Sequence, residues 1–178
     1  MRFALAAVGL VLALVLSGCN SGSDAASTSA SGWKEFAPEQ EKFSVRMPGD
    51  PAPLAGNDMS DSKTWTSDGG NLLYLIRYTQ LSDPSIEKDQ RRIEDTFDNT
   101  FDTMGITENL TDLDQKKELS VAGVSGREIL ATTADKKTKR IRLCIAGGRL
   151  YRVEVTGANT AVASPDAEAF FNSLKIGR

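Results

Sequence analysis

Two thiols and no imidazole define the reactive side chains of this 178-residue chain. Without histidine there is no ordinary general base near neutral pH and no imidazole metal ligand. A Ser-His-Asp or Cys-His nucleophile system cannot be assembled. Zinc held by histidine or by paired cysteines is excluded in the same way. The thiols are Cys19 and Cys144. Cys144 lies in an alternating apolar segment and reads as a small core hydrophobe rather than a nucleophile. Asp112 and Asp114 share the spacing of part of a calcium loop, but the remaining spaced ligands and the closing Glu are missing, so no metal site is expected. Lys136, Lys137, Lys139 and Arg140 form a basic run. With no interleaved aromatics it reads as a solvated hairpin tip, not a nucleic-acid surface. The enzyme chemistry left open is hydrolysis by carboxylates alone, of glycosidase type. Its signature would be two carboxyl groups about 5–10 Å apart in a cleft. No catalytic residue and no cofactor is expected from the motifs.

Cys19 is the thiol with a context. One positive charge, Arg2, precedes an apolar run of 14 residues from Phe3 to Leu16, and small residues follow. This order reads as an export signal. The run is short of the roughly 20 apolar residues that span a bilayer. Leu16-Ser17-Gly18-Cys19 resembles the lipobox of bacterial lipoproteins. That resemblance implies cleavage before Cys19 and acylation of its sulfur. The alternatives are a secretory signal with an incidental cysteine and a retained helix. If the resemblance holds, Cys19 anchors the protein to a membrane and the rest lies in the cell envelope outside the cytoplasm. Asn20, in place of Asp, leans towards an outer membrane.

Residues 19–32 are mostly Ser, Ala, Gly and Thr and read as a flexible tether. Residues 33–178 are long enough for one domain that needs no disulfide or metal to fold. The chain carries a net charge of −3; removal of residues 1–18 takes away Arg2 and leaves −4. Such a charge gives no pull towards nucleic acid.

Within the domain, Trp33–Phe36 and Phe43–Met47 alternate as short strands, the second stopped by Pro48. Thr64–Thr66 and Leu72–Thr79 read as a hairpin around Ser67–Asn71. The clearest helix runs from Pro84 to Met104. Asp83 is its cap, Gly105 its stop, and Ile86, Ile93, Phe97, Phe101 and Met104 its apolar stripe. Lys116–Val121 and Arg127–Thr133 are further strands. Ser164-Pro165 opens a last helix with Ala167, Phe170, Phe171 and Leu174 on one face.

The final hairpin, Arg140–Ala146 and Arg149–Thr156, raises a question of parity. A plain Gly147-Gly148 turn would pair Cys144 with Tyr151 and set Ile141 against Glu154 and Leu143 against Arg152. A three-residue loop, Ala146-Gly147-Gly148, would align the apolar sets and is the expected form. The competing account is a sheet covered on both faces, where alternation loosens.

Strands, helix, strands and helix in this order predict an α+β domain, with an antiparallel sheet of about seven strands flanked by two main helices. Glu41-Lys42-Phe43-Ser44-Val45-Arg46-Met47-Pro48-Gly49 resembles the opening strand of small bacterial proteins similar in layout to the photosystem II subunit PsbP. Arg149-Leu150-Tyr151 and Ala169-Phe170-Phe171-Asn172-Ser173-Leu174 fit the same pattern. The resemblance implies an α/β/α sandwich over most of residues 33–178 and carries no catalytic residue. The function expected is a non-catalytic, envelope-anchored module that binds a ligand or an envelope protein, or supports envelope structure.

Overall fold

The computed structural model describes residues 32–55, 61–113 and 116–177. The leader, Cys19, nearly all of the tether and Asp114 lie outside the described residues. Among the described residues, ten strands, β1 to β10, three α-helices, α1 to α3, and one 3-10 turn form the domain. The main sheet has seven antiparallel strands in the order β3-β4-β5-β9-β8-β7-β6. They are Ala52–Pro53, Ser62–Asp68, Leu72–Gln80, Arg149–Gly157, Thr138–Ala146, Val124–Thr132 and Lys117–Val121 in that order. A small sheet, β1-β2-β10, joins Lys34–Phe36, Phe43–Met47 and Lys175–Ile176. Helix α1 is Gln90–Thr107, α2 is Asn159–Val162 and α3 is Pro165–Ser173. The α+β expectation, with seven strands and two main helices, matches this architecture.

Each face of the main sheet carries a packed layer, complete on one face and partial on the other. On one, α1 sets Ile93, Phe97, Phe101 and Met104 against Ile129, Ile141, Leu143 and Ile145 of β7 and β8. On the other, α3 and the small sheet build an aromatic core. Phe43, Trp65, Tyr74, Tyr78, Tyr151, Phe170 and Phe171 are buried there. Each side chain of this size removes well over 100 Å² of apolar surface from water and dominates the local stability. Ser164 caps α3 as expected, its Oγ accepting from Ala167 N at 3.3 Å.

Two expectations are corrected. The first is the β8–β9 hairpin. Cys144 sits directly opposite Tyr151, so the loop is the plain Gly147-Gly148 turn and not a three-residue one. Both glycines are left-handed, with φ of 57° and 73°, as a tight turn matched to strand twist requires. The parity argument assumed one wet face. In a two-sided sheet Ile141 and Leu143 are buried under α1 while Arg140 and Arg142 are buried on the α3 face, above the Phe171 ring. Charge opposite apolar side chain is tolerated because the charges are paired. Arg140 and Arg142 share Glu128 and reach Glu168.

The second correction concerns the helix start and stop. Asp83 and Pro84 open only a 3-10 turn, Pro84–Lys88, which holds Ile86. A second capping residue, Asp89, starts α1 by accepting from Arg91 N and Arg92 N. Gly105 does not stop the helix, which continues to Thr107. A Cβ at Gly105 would lie 2.7 Å from Leu113 Cδ1, so its role is close approach of the following segment.

Candidate functional site

Helix α1 covers the β7–β8 half of its sheet face. Among the described residues no helix lies over the strip formed by β4, β5 and β9 on the same face. There Leu73 is 45% exposed, and Leu75, Arg77 and Thr79 are half-buried. The strip opens as two adjoining clefts. One, about 430 Å³, runs between α1 and the β5–β9 pair. The other, about 520 Å³, lies over β4, β5 and β9. They meet at Arg77, Thr107, Glu108 and Arg152, which line both. Ligand pockets fall in this range of volume.

The helix side of the cleft is a row of threonines at helical spacing. Thr96, Thr100, Thr103 and Thr107 donate their hydroxyls to the carbonyls of Arg92, Thr96, Asn99 and Thr103 at 2.7–2.9 Å. Back-bonding of this kind engages the hydroxyl proton within the helix. What remains for a ligand is methyl surface and acceptor lone pairs, beside Met104 and Leu150.

The sheet side carries the charges. Arg152 donates to both Glu108 and Glu154. Lys139 lies 2.7 Å from Glu108 and 3.3 Å from Glu154. These two cations and two carboxylates close on one another. Burial would raise the Glu108 carboxyl, but hydrogen bonds and charge from Arg152 and Lys139 outweigh it and hold it at about 2. Such a carboxyl is ionised at neutral pH and has no proton to give. A carboxylate-only hydrolase needs one acid held protonated, and Glu108 is held in the opposite state. The second carboxylate pair, Glu128 and Glu168, bridges Arg140 and Arg142 beneath α3. Burial raises Glu168 and the two arginines lower it, with the net shift downward. Neither Glu108 nor Glu168 has the raised carboxyl that a general acid requires.

Two polar atoms in the cleft are left over. Thr64 is 1% exposed and its Oγ1 has no hydrogen-bond partner among the described residues. Arg77 Nε is also buried without a partner among the described residues. The Arg77 guanidinium makes one hydrogen bond, from Nη2 to Ser62 Oγ at 3.1 Å, and no carboxylate among the described residues pairs with it. A buried polar group without a partner costs about 1–3 kcal/mol. Thr64 and Arg77 stand opposite each other in the sheet, and Arg77 in turn stands opposite Arg152.

The basic run of the sequence does not form a patch. Lys139 turns to the cleft and Arg140 to the α3 face, while Lys137 pairs with Asp135 at 2.8 Å. Asp112 is exposed, and among the described residues no three His, Cys, Asp or Glu side chains are grouped to hold a metal. Cys144 is fully buried, and burial pushes its thiol up to about 12. Cys19 falls outside the described residues. Arg77 was not singled out in the sequence, and Arg152 and Glu154 entered only as cross-strand partners in the final hairpin. The available signal was charge in the middle of strands whose other residues are apolar, as in Leu75-Ile76-Arg77-Tyr78.

The layered arrangement has solved counterparts. Cyanobacterial PsbP (CyanoP) from Synechocystis sp. PCC 6803 superimposes with a TM-score of 0.61 over 82% of this chain and 92% of that one, at 8% identity. The fold is PsbP-like. A protein of Bacteroides thetaiotaomicron VPI-5482 superimposes with a TM-score of 0.54 at 13% identity, and this chain spans 49% of its length. No protein-family model matches the chain, and the search of curated proteins found no match. At these identities the PsbP-like fold carries the architecture and no activity. Among the described residues no helix is long and apolar enough to cross a membrane.

Proposed function

We propose that this chain is an envelope lipoprotein, anchored through acylated Cys19, whose PsbP-like domain binds a small molecule without chemistry in the cleft between α1 and the β4–β5–β9 strip. The observation that carries the binding reading is the pair of buried, unpartnered polar groups, Thr64 Oγ1 and Arg77 Nε, in an open cleft. Folded proteins pair nearly all such groups, so a bound ligand that completes them is the physical reason to keep them. The order Leu16-Ser17-Gly18-Cys19 supports the anchor. Two or three acyl chains, at about 0.8 kcal/mol per buried CH₂, hold a protein at a bilayer for long periods. The closed Arg152–Lys139–Glu108–Glu154 network supports holding over proton transfer. An envelope protein partner would act beside this cleft, and crosslinking in intact host cells followed by mass spectrometry identifies it.

Two measurements test the reading. Cys19→Ser should move the protein from the membrane to the soluble fraction; retention through carbonate and salt washing means that the anchor is elsewhere. Native mass spectrometry of the chain from host membranes should show a retained small molecule that is lost when Thr100→Trp fills the cleft. Identical spectra for the two chains would refute the cleft.

A further inference from the structure

Resting on that binding reading, we infer the class of ligand: an anionic amphiphile, a single carboxylate or phosphate on an apolar body, with its oxyanion held by Arg77 and Thr64. The inference begins with the charges. Arg152 and Lys139 are answered by Glu108 and Glu154, which they contact directly. Arg77 is left as a positive charge with no counter-charge among the described residues and a single hydrogen bond, to Ser62. A guanidinium offers five donors in a planar fork that matches a carboxylate or phosphate edge. Its buried Nε is free, and the Thr64 hydroxyl opposite it in the ladder is free to donate to the same oxyanion.

The walls define the rest of the ligand. Leu54, Leu73 and Leu75 flank Arg77 on one side, and Met104 and Leu150 lie on the other. The threonines of α1 have turned their hydroxyl protons into the helix backbone. A sugar, which needs many donors and acceptors, meets mostly methyl surface here. A nucleoside diphosphate brings more negative charge than one unanswered arginine can match, and Glu108 and Glu154 stand close by. One negative charge beside an apolar body satisfies Arg77, Thr64 and the walls together.

Equilibrium dialysis of the full chain with radiolabelled decanoate tests this, with decyl phosphate and the uncharged decyl maltoside as competitors. Arg77→Gln should weaken decanoate binding by about tenfold or more, the size expected for a lost charged hydrogen bond. Thr64→Val should weaken it several-fold, Arg77→Lys should recover most of the loss, and Arg91→Gln, an exposed helix position, should change nothing. Stronger competition by decyl phosphate identifies a phosphate-bearing lipid as the source, and weaker competition a free fatty carboxylate; either supports the inference. Decanoate binding unchanged in Arg77→Gln, or decyl maltoside competing as well as the anions, overturns it. If that neutral binding is lost in Thr100→Trp, the cleft survives and only the anionic head is refuted. If none of the three probes binds in a way that Thr100→Trp abolishes, both the head and the cleft reading fall. Urea midpoints of the Arg77 and Thr64 variants confirm that each is folded.

Discussion

Replacing Glu108 with Gln probes the charge network that closes the cleft. The Glu108 side chain is 28% exposed and faces Arg152 and Lys139. Its carboxyl falls from 4.5 to about 2 on folding. One pKa unit is worth about 1.4 kcal/mol, so the ionised carboxylate contributes about 3 kcal/mol at neutral pH. The sign follows from the direction. A folded-state pKa below the unfolded one gives stability that is complete above pH 4.5 and fades as pH falls towards 2. At pH 3 about 2 kcal/mol of it has gone, because the unfolded chain binds the proton and the folded one does not. Glu108→Gln leaves Arg152 and Lys139 to share Glu154. The assay is urea unfolding of both chains from pH 7 to pH 3. The native chain should be more stable by about 2–3 kcal/mol at pH 7, and the gap should close to about 1 kcal/mol at pH 3. A gap that stays constant across this range would refute the reasoning, and with it the case that Glu108 has no proton to give at neutral pH.

Phe97, 1% exposed under α1, should cost about 3–5 kcal/mol when cut to Ala, read as a urea midpoint; a loss below about 1 kcal/mol would mean that the helix stripe is not packed on the sheet. Two glycines should separate cleanly. A Cβ at Gly157 would lie 2.6 Å from Asn71 O and 2.8 Å from Leu72 Cδ2, so Gly157→Ala should destabilise by about 1–3 kcal/mol. Gly147 meets nothing within 4 Å at φ 57°, so Gly147→Asn should stay within about 1 kcal/mol of the native chain in the same assay, since Asn accepts left-handed turns. Equal effects at the two sites would contradict the turn geometry.

Alternation and capping made much of the fold legible. Phe43–Met47, the strand read as Leu72–Thr79 and the α3 stripe follow directly from period and cap, and the layered plan follows from the order of elements. The helix start was misplaced because two Asp residues, Asp83 and Asp89, stand six apart and both cap. Only the backbone decides which one opens the longer helix. The β8–β9 turn was misjudged because alternation was taken to mean one wet face. The apparent mismatch, Ile141 against Glu154 and Leu143 against Arg152, was itself the sign of a sheet buried on both sides. For the same reason the cleft was invisible. Nothing in the sequence marks Arg77, Arg152 and Glu154 as cleft positions until α1 is laid across the neighbouring strands. Which part of a sheet face a helix leaves bare depends on where the helix ends up in space, and periodicity holds no information about that.

The small sheet joins the two ends of the domain. Strand β2, formed early in the chain, pairs with β10 near its end, and Arg46 N donates to Ser173 Oγ, 127 residues away. The aromatic core between the layers is therefore open until α3 and β10 arrive. Loop closure over such a separation must be met before its contacts return anything, which slows folding and makes it depend on the last segment. If the chain is exported, as the anchor proposed above would require, this order has a use. A partial length would lack the α3 and β10 share of the aromatic layer, so closure would wait until the last strand had emerged on the far side.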